Sequence, residues 1–134
     1  MKKKLLPLFF FIGMIGSISA QNLTWMEGSW TGKGYQPNLG KDPYWDMDLV
    51  ISLESGEGIL KIEYPSIPCS ANWEIISKEL KRAVFVERLT KGKDRCIDGS
   101  KLTVTYVDQD HIQVVFYNPE NDKEIYATAK LKRK

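Results

Sequence analysis

The sequence predicts an all-β fold: an eight-stranded antiparallel up-and-down β-barrel, closed by one disulfide between Cys69 and Cys96. Three observations predict it. Apolar residues alternate with polar ones at a period of two, turn signals recur at short intervals, and the two cysteines stand in a chain that opens with an export signal.

The export signal comes first. Lys2, Lys3 and Lys4 precede an almost wholly apolar run from Leu5 to Ile15, and Gly16, Ser17, Ser19 and Ala20 supply small residues before a cut after Ala20. The apolar run is shorter than the ~20 residues that span a bilayer, so a cleaved signal is expected over residues 1–20 rather than a retained anchor. The compact, Lys-rich start is of bacterial type. No Cys follows the cut, so no lipid attachment is expected there. Residues 21–134 then form a single small β-barrel domain, exported to the periplasm or the medium, with no stable membrane insertion after cleavage.

Removing the signal changes the charge argument. The full chain carries 19 Lys+Arg against 17 Asp+Glu, net +2. The signal takes three Lys and no acid, which leaves 16 against 17 in the mature chain. Nucleic-acid binding needs a basic footprint, and the mature domain lacks one. The basic tail Lys130-Leu131-Lys132-Arg133-Lys134 reads as a solvated end, with a surface-anchoring role as the alternative.

Eight strands are expected, at 29–36, 44–53, 58–64, 69–77, 81–90, 101–107, 111–118 and 124–131. Trp45, Met47, Leu49, Ile51 and Leu53 share one face of the second, opposite Tyr44, Asp46, Asp48 and Ser52. Leu60, Ile62 and Tyr64 oppose Lys61 and Glu63 in the third. Leu102, Val104 and Tyr106 oppose Thr103 and Thr105 in the sixth, and Ile112, Val114 and Phe116 oppose Gln113 in the seventh. Turns fall at Pro37-Asn38-Leu39-Gly40, Ser55-Gly56-Glu57-Gly58, Lys91-Gly92-Lys93-Asp94, Asp98-Gly99-Ser100, Asp108-Gln109-Asp110 and Asn118-Pro119-Glu120-Asn121-Asp122. Ile75 to Ala83 lacks a helical apolar stripe and is expected to hold a hairpin turn near Lys78-Glu79. Eight sequential strands remove their exposed edges by closing, and the interior of such a barrel is filled by side chains or holds one small ligand. A transmembrane barrel is the rival, but it needs strands of about 9–11 residues and aromatic girdles.

The cysteines stand 27 residues apart. In an exported chain such a pair reads as a disulfide. A metal pair is the alternative, but the chain has one His and no Cys-x-x-Cys.

Gly28-Ser29-Trp30 on the first strand resembles the opening of calycin barrels, the lipocalin and avidin class. A longer series follows: Trp30-x-Gly32-x-x-x-Gln36, Tyr64-Pro65-Ser66-x-x-Cys69, Phe85-x-Glu87-x-x-x-x-Gly92-x-x-x-Cys96 and Cys96-x-Asp98-Gly99. It resembles a small extracytoplasmic bacterial domain that stands alone or at the tail of serine/threonine kinases and caspase-like proteins. That resemblance spans roughly residues 28–107 and implies a shared barrel and disulfide, but no activity. The chain departs from it at Pro68-Cys69-Ser70-Ala71, where that domain often has Gly-Cys-Gly-Gly.

Glu87 is the most informative residue. On its strand it shares a face with Ala83, Phe85 and Leu89, and the other face carries Val84, Val86 and Arg88, so a charge lies on an apolar face either way; if Phe85 points inward, Glu87 does too. A buried carboxylate needs a partner or its pKa rises. It is either a polar contact for a ligand or part of a structural network. The abundant aromatics either line a pocket or fill the core. Asp46 and Asp48 share a face and read as a solvated pair. His111 lacks companions for a metal site or a catalytic triad, and Gly32 and Gly34 precede no helix and so form no phosphate loop.

The reading is therefore a non-enzymatic binding module without cofactor or metal, holding a small apolar or amphipathic ligand or a peptide at the barrel mouth. Trp30, Trp45 and Trp73 would supply apolar contact, Gln36 and Glu87 polar orientation, and Arg95 a cation at the rim. The alternative is a protein-interaction module, an inhibitor or immunity-type partner of an exported enzyme, with a filled barrel.

Overall fold

The computed structural model describes residues 23–53 and 59–134. The expected signal segment, residues 1–20, and the turn expected at Ser55-Gly56-Glu57-Gly58 lie outside them. The described strands are β1 (Gly28–Tyr35), β2 (Tyr44–Leu53), β3 (Ile59–Tyr64), β4 (Cys69–Lys78), β5 (Arg82–Lys91), β6 (Lys101–Asp108), β7 (His111–Asn118) and β8 (Asn121–Arg133). Each pairs antiparallel with the next. β1 also pairs with β8, from Trp30 opposite Arg133 to Tyr35 opposite Thr128, and this closes the barrel.

The expected boundaries hold to within a residue at most ends. The exception is β8, expected at 124–131. It starts at Asn121 because the turn is confined to Pro119 and Glu120, and Asn118 already pairs with Asn121. It runs on to Arg133 because Arg133 N–H donates to the Asp110 carbonyl at 2.7 Å. The hairpin expected near Lys78-Glu79 is present, with Glu79 N–H donating to the Arg82 carbonyl at 2.7 Å.

The period-two alternation sorts the side chains as expected. Met47, Leu49, Ile51, Leu60, Ile62, Phe85, Leu102, Val104, Ile112, Val114 and Leu131 fill the interior. The outer wall carries ion pairs, among them Lys33 with Asp46, Arg88 with Glu74 and Lys101 with Asp122. Apolar inside and charged outside is the inverse of a transmembrane barrel. Among the described residues no helix is long and apolar enough to cross a membrane.

The two ends of the barrel differ. At one end the chain enters through a single 3₁₀ turn, Thr24–Met26, which drops the fully buried Met26 into the opening. Trp30 lies beneath it and donates its indole N–H to the Met26 carbonyl at 2.9 Å. The Arg133 guanidinium covers the Trp30 ring, 4.3 Å from its centroid, and donates to the carbonyls of Glu27 at 2.7 Å and Trp25 at 3.1 Å. The tail expected to be a solvated end therefore closes the barrel floor. The other end is a mouth ringed by the 36–43 connection, the 65–68 turn, the 92–100 loop and the 119–120 turn. Cys69 and Cys96 are bonded at its rim, joining the start of β4 to the 92–100 loop that follows its neighbour β5.

Candidate functional site

A cavity of about 320 Å³ opens at this mouth. Its apolar wall includes Leu39, Trp45, Ile67, Leu89, Ile97, Phe116 and Ala127, and its polar groups are Gln36, Tyr64, Glu87, Arg95, Ser100 and Tyr126.

Glu87 stands at the centre of this arrangement. Period-two alternation along β5 carries it inward with Ala83, Phe85 and Leu89, and it is 5% exposed. Its backbone is held on both sides by the segment that returns toward β6: its N–H donates to the Ser100 carbonyl at 2.8 Å, and its carbonyl accepts from Gly99 N–H at 2.9 Å. Its carboxylate accepts two hydrogen bonds, both at Oε2. One comes from the Tyr64 hydroxyl at the end of β3, the other from Trp73 Nε1–H on β4 at 2.9 Å. Among the described residues Oε1 takes no hydrogen bond, and no ion pair reaches the carboxylate.

Burial raises the Glu87 pKa above the ordinary carboxylate value. The two donors oppose that shift, and the nearby negative charge of Asp98 adds to it. The Tyr64 hydroxyl is pushed well above its usual range, first by burial and then by the adjacent carboxylate, so it stays protonated and acts as a donor.

A prediction follows from the sign of the Glu87 shift. Its native pKa lies above the unfolded one, so its favourable contribution is fully present at acid pH and is lost as pH climbs through the raised native value. Glu87→Gln keeps an amide oxygen for both donors and cannot ionise. The melting temperature of this variant relative to the native chain is expected to rise as pH climbs from the ordinary carboxylate range through the raised native value. Circular-dichroism melts across that range check it; a constant or falling difference would refute the assignment. Glu87→Ala, by contrast, strands two buried donors at roughly 1–3 kcal/mol each.

The expected site residues divide. Gln36, Trp45, Glu87 and Arg95 come together at the cavity. Gln36 donates from Nε2 to the Tyr126 hydroxyl at 2.8 Å and so positions a second wall residue. Trp45 turns inward at the rim because Gly34 lies beneath it: a Cβ at Gly34 would stand 2.6 Å from the indole Cε2. Arg95 is exposed. Trp30 and Trp73 are not wall residues. Trp30 belongs to the closed end, and its ring is occupied by Arg133. Trp73 lies fully buried behind the wall, tilted against Phe85 and edge-on to Phe116, with its N–H spent on Glu87; it supports the site without lining it.

Tyr64 and Tyr126, expected only as two of the abundant aromatics that line a pocket or fill the core, join the site, and so do Ile67 and Ser100, for which the sequence carries no such signal. Tyr64 had a signal: it ends an alternating strand on the inward face, directly before the Pro65 turn. Asp46 and Asp48 face outward, paired with Lys33 and with Lys134 respectively. His111 bonds Asp108 at 2.8 Å. Among the described residues no group of three or more His, Cys, Asp or Glu is placed to hold a metal ion.

No protein-family model and no curated protein matches this chain. Among solved structures it is similar to a redesigned β-barrel at 11% identity and a TM-score of 0.58, covering 86% of this chain and 96% of that one. It is also similar to the redesigned barrel mFAP1 bound to DFHBI, at 13% identity and a TM-score of 0.54, covering 84% and 99%. At such identities the likeness is one of fold.

Proposed function

We propose that this chain is an exported, non-enzymatic binding module that holds a small apolar or amphipathic molecule at one mouth of its barrel. The observation that carries this reading is the cavity of about 320 Å³ with a buried, half-satisfied carboxylate in an apolar wall. Small-molecule sites have this composition, an apolar lining with a few fixed polar groups, and volumes of about 300–1,000 Å³. The volume lies at the small end, which favours a compact molecule over a peptide. The redesigned barrel mFAP1, of similar fold, is bound to a ligand, DFHBI. Kinship with calycin barrels is part of the proposal, supported by Gly28-x-Trp30 on the first of eight strands. Export is supported by the Lys-rich, apolar opening of the sequence and by the disulfide, a bond that persists in oxidising compartments.

A second reading, a protein-interaction module, has one observation in its favour: Leu39 and Ile97 stand 49% and 39% exposed at the mouth. That reading takes a filled barrel, and the cavity weighs against that form.

Native mass spectrometry of protein purified from its own source separates the two. A co-purified small molecule is the expected result, and a co-purified protein instead would favour the second reading. Ala127, 3% exposed in the cavity wall, offers a sharper check. Ala127→Phe places a ring in the cavity, at an overpacking cost of about 1–3 kcal/mol. The variant is expected to lose the co-purified molecule and to fail to take up an apolar fluorescent probe that the native chain binds. Undiminished uptake would place binding elsewhere.

A further inference from the structure

We infer that the molecule held at this mouth is a small primary amine with an apolar body, its ammonium seated on the free oxygen of Glu87. The inference rests on the binding reading above and narrows it to one chemical class.

Four observations carry it. Glu87 is 5% exposed, lines the cavity, and has both its hydrogen bonds at Oε2. Both donors, the Tyr64 hydroxyl and the Trp73 indole N–H, are neutral, so they orient the carboxylate without cancelling its charge. A second acid stands nearby, outside the cavity wall: Asp98 faces the same stretch of β5, its Oδ1 accepting from Leu89 N–H at 2.8 Å and its Oδ2 4.0 Å from Lys93 Nζ, and its negative charge bears on Glu87. The wall around Glu87 is otherwise largely apolar, with Ile67, Leu89 and Phe116. A buried carboxylate lacking a cation is costly, and a hydrogen-bonded cation offsets that cost. An ammonium on an apolar stem supplies the charge and the N–H donors, and buries the stem against the wall.

Arg95 is the competing feature, because a cation at the rim suits an anionic ligand. It is exposed, where water and salt screen its charge. An anion drawn to it would meet Glu87 in the cavity wall. The buried charge, screened less, decides the sign.

Isothermal titration calorimetry of the purified protein with hexylamine, hexanol and hexanoate tests this, since the three share one apolar chain and differ in the head group. Hexylamine is expected to bind about tenfold tighter than hexanol, the gain of a charge-assisted hydrogen bond over a neutral one, and hexanoate is expected to bind weakest. Trimethylhexylammonium keeps the charge but has no N–H to donate, and is expected to lose that advantage. Glu87→Gln is expected to abolish the gap between amine and alcohol. Hexanol binding as well as hexylamine overturns the amine assignment and leaves the binding reading standing. A preference for hexanoate overturns it in favour of Arg95. Binding of none of the four by folded protein overturns the binding reading itself. Where Glu87→Gln fails to fold, the order of the four ligands on the native chain decides alone.

Discussion

Trp30→Ala is expected to lower the stability of the domain by about 3–5 kcal/mol, the usual cost of truncating a buried Trp. The side chain is fully buried, and its removal undoes three things at once. The cavity left is lined by core residues that cannot collapse without breaking the strand ladder. The Met26 carbonyl loses its 2.9 Å indole donor, which loosens the 3₁₀ plug. Arg133 loses the ring beneath its guanidinium, and with it part of what holds β8 to its last residue. Against the roughly 5–15 kcal/mol of a typical domain, this is a large fraction. Urea titrations check it: the midpoint should fall with little change in slope. Trp30→Phe, which keeps most of the volume and loses only the N–H, should fall clearly less. The closed end is remote from the mouth, so protein that remains folded at low temperature should still bind. If Trp30→Ala melts like the native chain, the closed end is not the structural floor described above.

Loss of the disulfide is expected to be nearly as costly. The bond spans 27 residues, a loop whose closure entropy corresponds to about 3–4 kcal/mol. The Cys69→Ser, Cys96→Ser double variant should therefore shift the urea midpoint strongly, and reduction of the native chain should do the same. The effect on the site should be larger than the effect on the barrel. The strands pair without the bond, but the 92–100 loop returns across the mouth with Arg95, Cys96 and Ile97 in the cavity wall. It is pinned by the bond and by two tight backbone contacts, Arg95 and Cys96 N–H on the Gly92 carbonyl at 2.9 Å each. Gly92 enters that turn at φ +89°, with Pro68 O and Cys69 Sγ packed where a Cβ would be, so no other residue fits there without strain. Binding should weaken under mild reduction, at denaturant concentrations where the far-ultraviolet spectrum is still that of the barrel. Equal binding by reduced and oxidised protein would show that the loop does not need the bond to hold its shape.

Both variants act on features that the sequence displays unequally. Cys69 and Cys96 are legible as a pair from compartment and count. Trp30 is legible as inward-facing, but its role as floor is not, because its partners come from a 3₁₀ turn before β1 and from the last residue of β8. Arg133, in a run of lysines, has the pattern of a solvent-facing tail. Glu87 was conspicuous because a charge on the Phe85 face of a strand contradicts the pattern around it. Its two donors, Tyr64 and Trp73, sit on different strands and meet it only through the β3–β4–β5 register, Leu60 with Trp73 and Trp73 with Glu87.

The sequence by itself determined which residues form strands and which of their faces turns inward. Both follow from local sterics and from side-chain alternation along a single segment. It also pointed to the closing bond; for β5 it determined only that Glu87 turns inward if Phe85 does, and the structure decided that it does. Only the tertiary structure decided how far along the barrel axis each inward residue sits. Trp30, Trp45 and Trp73 obey the same alternation, yet one ends at the floor, one at the rim and one behind the wall. Depth depends on the stagger of eight strands closing on each other, a property of all of them together and of none alone.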